Sequence, residues 1–163
     1  MALGALTAVI PAAVCVSTAT AGSNIYPTPY YLVFAKLTTA QEVSPPKRAA
    51  GASGSFHGRL TMDHGTATLT WQLRLSGLSG SVRGVRMHLG AARKTGPSAI
   101  SLCAPRACRS VMRGTITWQT DARPSLVPAL LHGLAYVNVY TALNSQGEIR
   151  GQLEAGAPAA VGG

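Results

Sequence analysis

The sequence predicts an all-β chain, an antiparallel sandwich or barrel with one short helix ahead of its last hairpin. Three observations carry that prediction. Apolar–polar alternation recurs in runs spaced roughly every eight to fifteen residues, with turn-forming residues between them. The strictest run, Thr66 to Leu75, sets Ala67, Leu69, Trp71, Leu73 and Leu75 against Thr66, Thr68, Thr70, Gln72 and Arg74. The stretch Gly133 to Leu153 holds two further runs around a turn at Leu143 to Gly147, the pattern of a β-hairpin. In its first run Val137 and Val139 oppose Tyr136, Asn138 and Tyr140; in its second, Ile149, Gly151 and Leu153 oppose Glu148, Arg150 and Gln152.

From the N-terminus, Met1 to Val16 is uncharged and apolar, too short for a comfortable bilayer span, and Ala19-x-Ala21 follows as a signal-peptidase site. Residues 1–21 are therefore expected to be a signal peptide, although no Lys or Arg precedes the apolar run. Cys15 invites a lipoprotein reading, but Val14 stands before it where Gly or Ala is wanted. Cleavage after Ala21 leaves no transmembrane anchor and leads into a linker over residues 22–29.

No charged residue precedes Lys36, so export keeps the formal charge of +9, with five acidic residues in all. Such a charge favours polyanions. An anionic envelope polymer or an extracellular polysaccharide is the expected partner. The basic residues are dispersed, without the aromatic interleaving that stacks bases, so no specific nucleic acid is expected. The same dispersion also suits arginines that merely solvate a β-domain.

The remaining elements follow in order. Tyr30 to Leu37 is an aromatic and β-branched strand; Thr38 to Gly54 is a loop around Pro45-Pro46. Phe56 to Met62 pairs with Thr66 to Leu75 across Asp63-His64-Gly65. Gly77 to Gly80 turns the chain into Val82 to Leu89, and a basic loop from Arg93 to Pro97 follows. Ala99 to Cys103 and Gly114 to Gln119 are short strands. Ser125 to His132 reads as the helix, with Ser125 as N-cap, Pro128 in the first turn and Gly133 just past the end. Residues 155–163 form a small-residue tail, expected to be disordered. Removing the leader removes Cys15 and leaves Cys103 and Cys108, most simply a disulfide. A two-Cys metal site would need two further ligands.

YVNVYT followed by GEIRGQL resembles the closing motif of the CHRD domain, the module first described in chordin and found in many bacterial secreted proteins. FAKLTTAQEVSPP is similar to its opening strand and "L…A…EVPP" signature. TLTWQLRLSGLSGSVRGVRMHLG resembles its central segment. The resemblance assigns residues 30–154 to one such domain. It implies a β-sandwich of immunoglobulin-like or superoxide-dismutase-like character, in an exported protein.

The resemblance also raises a metal centre, because CHRD segments often carry a His-x-His pair in the central strand and a His in the last hairpin. Only His88 matches. Arg86 stands at the first His position and Tyr140 at the last, while His57, His64 and His132 have no spacing that gathers them on one ion. No catalytic metal and no cofactor is expected. There is no Gly-x-Ser-x-Gly elbow either. Glu148 and Arg150 share a strand face with Asn138 and Tyr140. They form either a polar recognition strip or a structural pair in which Arg150 meets Glu148 and caps loop carbonyls, worth about 0–1 kcal/mol if exposed.

The chain thus reads as an exported, non-enzymatic binding or envelope-associated module with a basic surface. Its candidate binding residues are Arg86, His88, Arg93, Lys94, Asn138, Tyr140, Glu148 and Arg150. The alternative is a metal-dependent oxidoreductase on a superoxide-dismutase-like sandwich. The oligomeric state is open.

Overall fold

A computed structural model describes residues 28–103 and 107–159. The expected signal peptide, Cys15, most of the linker and the last four residues lie outside them. The strands are β1 (Tyr30–Thr38), β2 (Ser53–Asp63), β3 (Thr66–Ser76), β4 (Val82–Leu89), β5 (Ser98–Cys103), β6 (Val111–Gln119), β7 (Ala135–Thr141), β8 (Ile149–Gln152) and β9 (Glu154–Ala155). One helix, α1 (Leu126–Leu131), precedes β7.

The strands form one antiparallel sheet in the order β5-β4-β7-β8-β1-β2-β3-β6, with β9 added alongside β1. The sheet curls into a nearly closed barrel whose inner side is the core. Period-two alternation fills that core. Phe56, Leu60, Leu69, Leu73, Val85, Met87, Val137, Val139 and Ile149 are fully buried. The two end strands, β5 and β6, are consecutive in the chain. A disulfide between Cys103 and Cys108, with Cα atoms 5.4 Å apart, ties the stretch that joins them.

The expected hairpins are present. β2 and β3 pair from Ser53↔Ser76 to Asp63↔Thr66, leaving His64 and Gly65 as a two-residue turn. Both carry positive φ, 42° and 79°, as the primed hairpin turns demand. β7 and β8 pair Asn138 with Arg150 and Tyr136 with Gln152. Gly151 faces inward, where a Cβ would lie 2.9 Å from Leu37 Cγ and from the Lys36 carbonyl oxygen, so its lack of a side chain lets β8 close against β1.

Two expectations at chain ends and helix ends are corrected. The Ser125 side chain makes no capping hydrogen bond; its own backbone is already helical, and the Leu126 amide is met by the Arg123 carbonyl instead. Gly133 does stand past the helix with φ 67°. The tail is not disordered where described. Ala155 pairs with Val33, the Gly156 amide donates to Leu32 O, and Ala159 exchanges both backbone hydrogen bonds with Tyr30. Small residues suit this path because their backbone, not their side chains, supplies the contact.

Candidate functional site

The polar residues of β4, β7 and β8 lie on the outer side of the barrel wall. Register aligns Arg86, Asn138 and Arg150 in one row and His88, Tyr136 and Gln152 in the next. An outer face of a sheet is ordinarily wet, yet Arg150 is 2 % exposed and His88 8 %. Two loops roof it: residues 90–97 between β4 and β5, and residues 39–52 between β1 and β2.

Arg150 holds the first roof. Its guanidinium donates to the Lys94 and Ala91 carbonyls, each at 2.9 Å, and stacks 3.4 Å above the Tyr136 ring. Gln152 Nε2 donates to Gly90 O at 2.8 Å and Gly133 O at 2.7 Å. His88 completes the anchorage. Its Nδ1 lies 2.9 Å from Gly96 O, which can only accept, so Nδ1 carries the proton. Nε2 then accepts from the Tyr140 hydroxyl at 2.8 Å. Burial pushes the His88 pKa down, and the Arg86 and Arg150 charges push the same way, outweighing the Gly96 bond. The imidazole is neutral at pH 7.

Glu148 is fully buried and does not pair with Arg150. It accepts instead from the Ser79 amide (2.5 Å), the Ser79 hydroxyl (2.7 Å), the Thr141 hydroxyl (2.5 Å) and Asn144 Nδ2 (3.0 Å). Burial raises its pKa, but these four donors outweigh it and hold the carboxyl below its usual range. Asn144 also accepts from the Lys47 amide at 2.6 Å, which ties in the second roof. The expected Glu148–Arg150 pair is thereby corrected. They share a strand face, but each is fully buried and bonds a different loop, so the estimate for an exposed pair does not apply.

Sequence reasoning missed Glu42. It enters the cluster from the second roof, beside Gly147, where a Cβ would lie 2.6 Å from Glu42 Oε1 and 2.8 Å from both amide atoms of Asn138. Gly147, at φ 127°, is a position only glycine fills without strain. Glu42 Oε1 and Asn138 Oδ1 are both buried without a hydrogen-bond partner. Burial raises the Glu42 carboxyl from 4.5 to about 7, against the opposing pull of the Arg150 charge. Burial also pushes the Tyr140 hydroxyl up. Tyr136 and Gln152 were missed too, although their parity with Asn138 and Arg150 was readable. Ser79 and Asn144 carried no signal beyond turn chemistry.

The candidate residues thus divide. Arg86, His88, Asn138, Tyr140 and Arg150 come together; Glu148 belongs to a separate knot. Arg93 and Lys94 stand exposed on the first roof. An open groove of ≈ 310 Å³ is lined by Arg83, Arg86 and Tyr140, and another of ≈ 510 Å³ by Glu42, Val43 and Arg93.

The three positions where the family pattern would place imidazoles do converge, as Arg86, His88 and Tyr140, with the Arg86 guanidinium 5.2 Å from the Tyr140 ring centre. They do not fit a copper–zinc centre. The set supplies one imidazole, both of whose nitrogens are engaged, and a guanidinium that cannot ligate. Among the described residues no group of three or more His, Cys, Asp or Glu side chains is arranged to hold a metal ion.

Neither the comparison with curated proteins nor that with solved structures returns a match. The family comparison does, over residues 33–153, from the buried Val33 of β1 to Leu153 beyond β8. That span takes in the barrel, both roofs and the whole polar cluster, and the chain belongs to the CHRD domain family.

Proposed function

We propose that this CHRD domain is an exported, non-enzymatic module that binds an anionic envelope polymer or extracellular polysaccharide through its exposed cations. One observation carries the reading: the buried side chains of Arg150, Glu148 and His88 are engaged with the protein itself, while the remaining described cations face solvent. Arg150, Glu148 and His88 spend their hydrogen-bonding capacity on loop backbone and neighbouring side chains. Among the described residues Arg150 is the one buried Lys or Arg, and Arg86, Arg93 and Lys94 are exposed. A charge held in water binds a polyanion by Coulomb attraction without prior desolvation. Occurrence of the family in extracellular or secreted proteins and the Cys103–Cys108 bridge support export. Among the described residues, no helix is long and apolar enough to cross a membrane.

The test is retention of residues 22–163 on purified envelope material across a salt gradient. Steep loss of retention with rising salt is expected, because exposed contacts are screened within about 10 Å at 0.1 M. Absence of retention at low salt would reject the reading. Activity of the oxidoreductase type, with stoichiometric copper or zinc in the purified protein, would replace it with the metal-dependent alternative.

A further inference from the structure

The outer face of the other half of the barrel, formed by β1, β2, β3 and β6, carries no roof. We infer that this face is the docking surface for an acidic polysaccharide chain, an inference that rests on the polyanion reading above and gives it a location. Register lays the outward residues in rows. Lys36, Ser55, Arg74 and Val111 form one row, Phe34, His57, Gln72 and Arg113 the next, and Leu32, Arg59, Thr70 and Thr115 the third. Lys36, Arg59, Arg74 and Arg113 are all exposed. None of them takes part in the cluster described above.

Acids stand only at the margins of this surface. Asp63 is at the β2–β3 tip, 2.5 Å from His64 Nδ1, and Glu154 lies beside Phe34 on β9. The four cations therefore have no neutralising partner between them.

The neutral residues specify the polymer. Ser55, His57 and Gln72 sit between the cations, with Thr70 beside Arg59, and offer hydroxyl, imidazole and amide groups suited to sugar hydroxyls. Further along, Thr68 pairs with Thr117 at 3.2 Å and Thr70 with Thr115 at 3.3 Å, which ends the cationic region in a neutral ladder. Phe34 and Leu32 are 42 % and 53 % exposed, and offer apolar surface to the C–H face of a sugar ring. Lys36 and Arg74 are two strands apart, about 10 Å, a separation on the scale of a disaccharide repeat. Between them runs a shallow depression of ≈ 420 Å³ lined by Ser53, Gly54 and Ser55. The face has no walls that would enclose a small ligand. An extended chain, touching several rows at once, suits it.

Affinity electrophoresis of the protein against polygalacturonate, dextran sulfate and neutral dextran tests the assignment. Anionic phosphatidylglycerol vesicles and duplex DNA are run at the same salt. Retardation is expected with the two acidic polysaccharides and not with dextran; stronger retardation by polygalacturonate marks carboxylates as the source of charge, and by dextran sulfate, sulfates. The triple variant Lys36→Ala/Arg74→Ala/Arg113→Ala should bind about tenfold more weakly, three exposed contacts being removed. Lys47→Ala/Arg48→Ala/Arg83→Ala removes the same net charge elsewhere and should stay within about threefold of wild type. Thermal melts of every variant check that it folds. Equal losses in the two triples would overturn the inference, as would loss confined to Arg86→Ala/Arg93→Ala/Lys94→Ala, or tighter binding to vesicles or DNA. With either of the first two outcomes the wild type still binds an acidic polysaccharide and the broader reading stands; tighter binding to vesicles or DNA would count against that reading as well. Failure of the wild type to bind any polyanion would remove both.

Discussion

Glu42→Gln isolates the cost of a carboxylate under the second roof. In the folded protein the Glu42 carboxyl titrates at about 7 rather than 4.5, because burial disfavours its charge more than Arg150 favours it. The folded state therefore binds the proton more tightly than the unfolded chain. That contribution to stability is full below pH 4.5 and is lost as pH rises through about 7. The difference corresponds to roughly 3 kcal/mol if fully expressed. Glu42 is only partly buried, and residual solvent reduces the figure to about 1–2 kcal/mol. Gln stays neutral and offers an amide donor to the unpartnered Asn138 Oδ1. Urea unfolding of both proteins at pH 4 and pH 8 measures the effect. The variant should match wild type at pH 4 and exceed it by about 1–2 kcal/mol at pH 8. A variant equally stable or less stable at pH 8 would contradict this pH dependence, and would mean that Arg150 compensates the Glu42 charge.

Other consequences of the geometry are measurable in the same way. Arg150→Lys removes the planar fork that reaches Ala91 O and Lys94 O together, and should cost about 2–3 kcal/mol, with faster hydrogen exchange across residues 90–97. Glu148 has the opposite pH sign to Glu42. Its contribution is present above pH 4.5 and lost as pH falls through its lowered folded value, so Glu148→Gln should lose most stability at neutral pH and converge on wild type in acid. Cys103→Ser/Cys108→Ser should lose no more than about 2 kcal/mol in thermal melts, since the bridge spans a sequence separation of 5.

Period-two patterning made the strands legible because one face of each is core. Thr66 to Leu75 reads directly as β3, whose inward residues Ala67, Leu69, Trp71, Leu73 and Leu75 are all buried. β6 is harder to read, since Gly114 sits where a Cβ would lie 3.0 Å from the Trp71 ring and so breaks the alternation. Alternation says which residues oppose the core, not what covers them, so Arg150 and Glu148 read as exposed strand residues. Loop 90–97 covers Arg150 through its Ala91 and Lys94 carbonyls, and the turns that hold Ser79 and Asn144 enclose Glu148, contacts that no local pattern records. Glu42 is of the same kind; its environment is assembled from β7, β8 and a turn about a hundred residues away. The missing Ser125 cap and the pairing of Ala155 and Ala159 are likewise backbone events, decided by tertiary fit.

In the function proposed above, binding resides in exposed cations and the cluster around His88 is architecture. Retention of His88→Gln on envelope material, measured beside wild type at matched fold and at two salt concentrations, tests that claim directly. Unchanged retention with the same salt sensitivity is the predicted result. Loss of retention in a variant whose melt shows it folded would contradict the claim, and would move the binding site to His88, Tyr140 and Arg86.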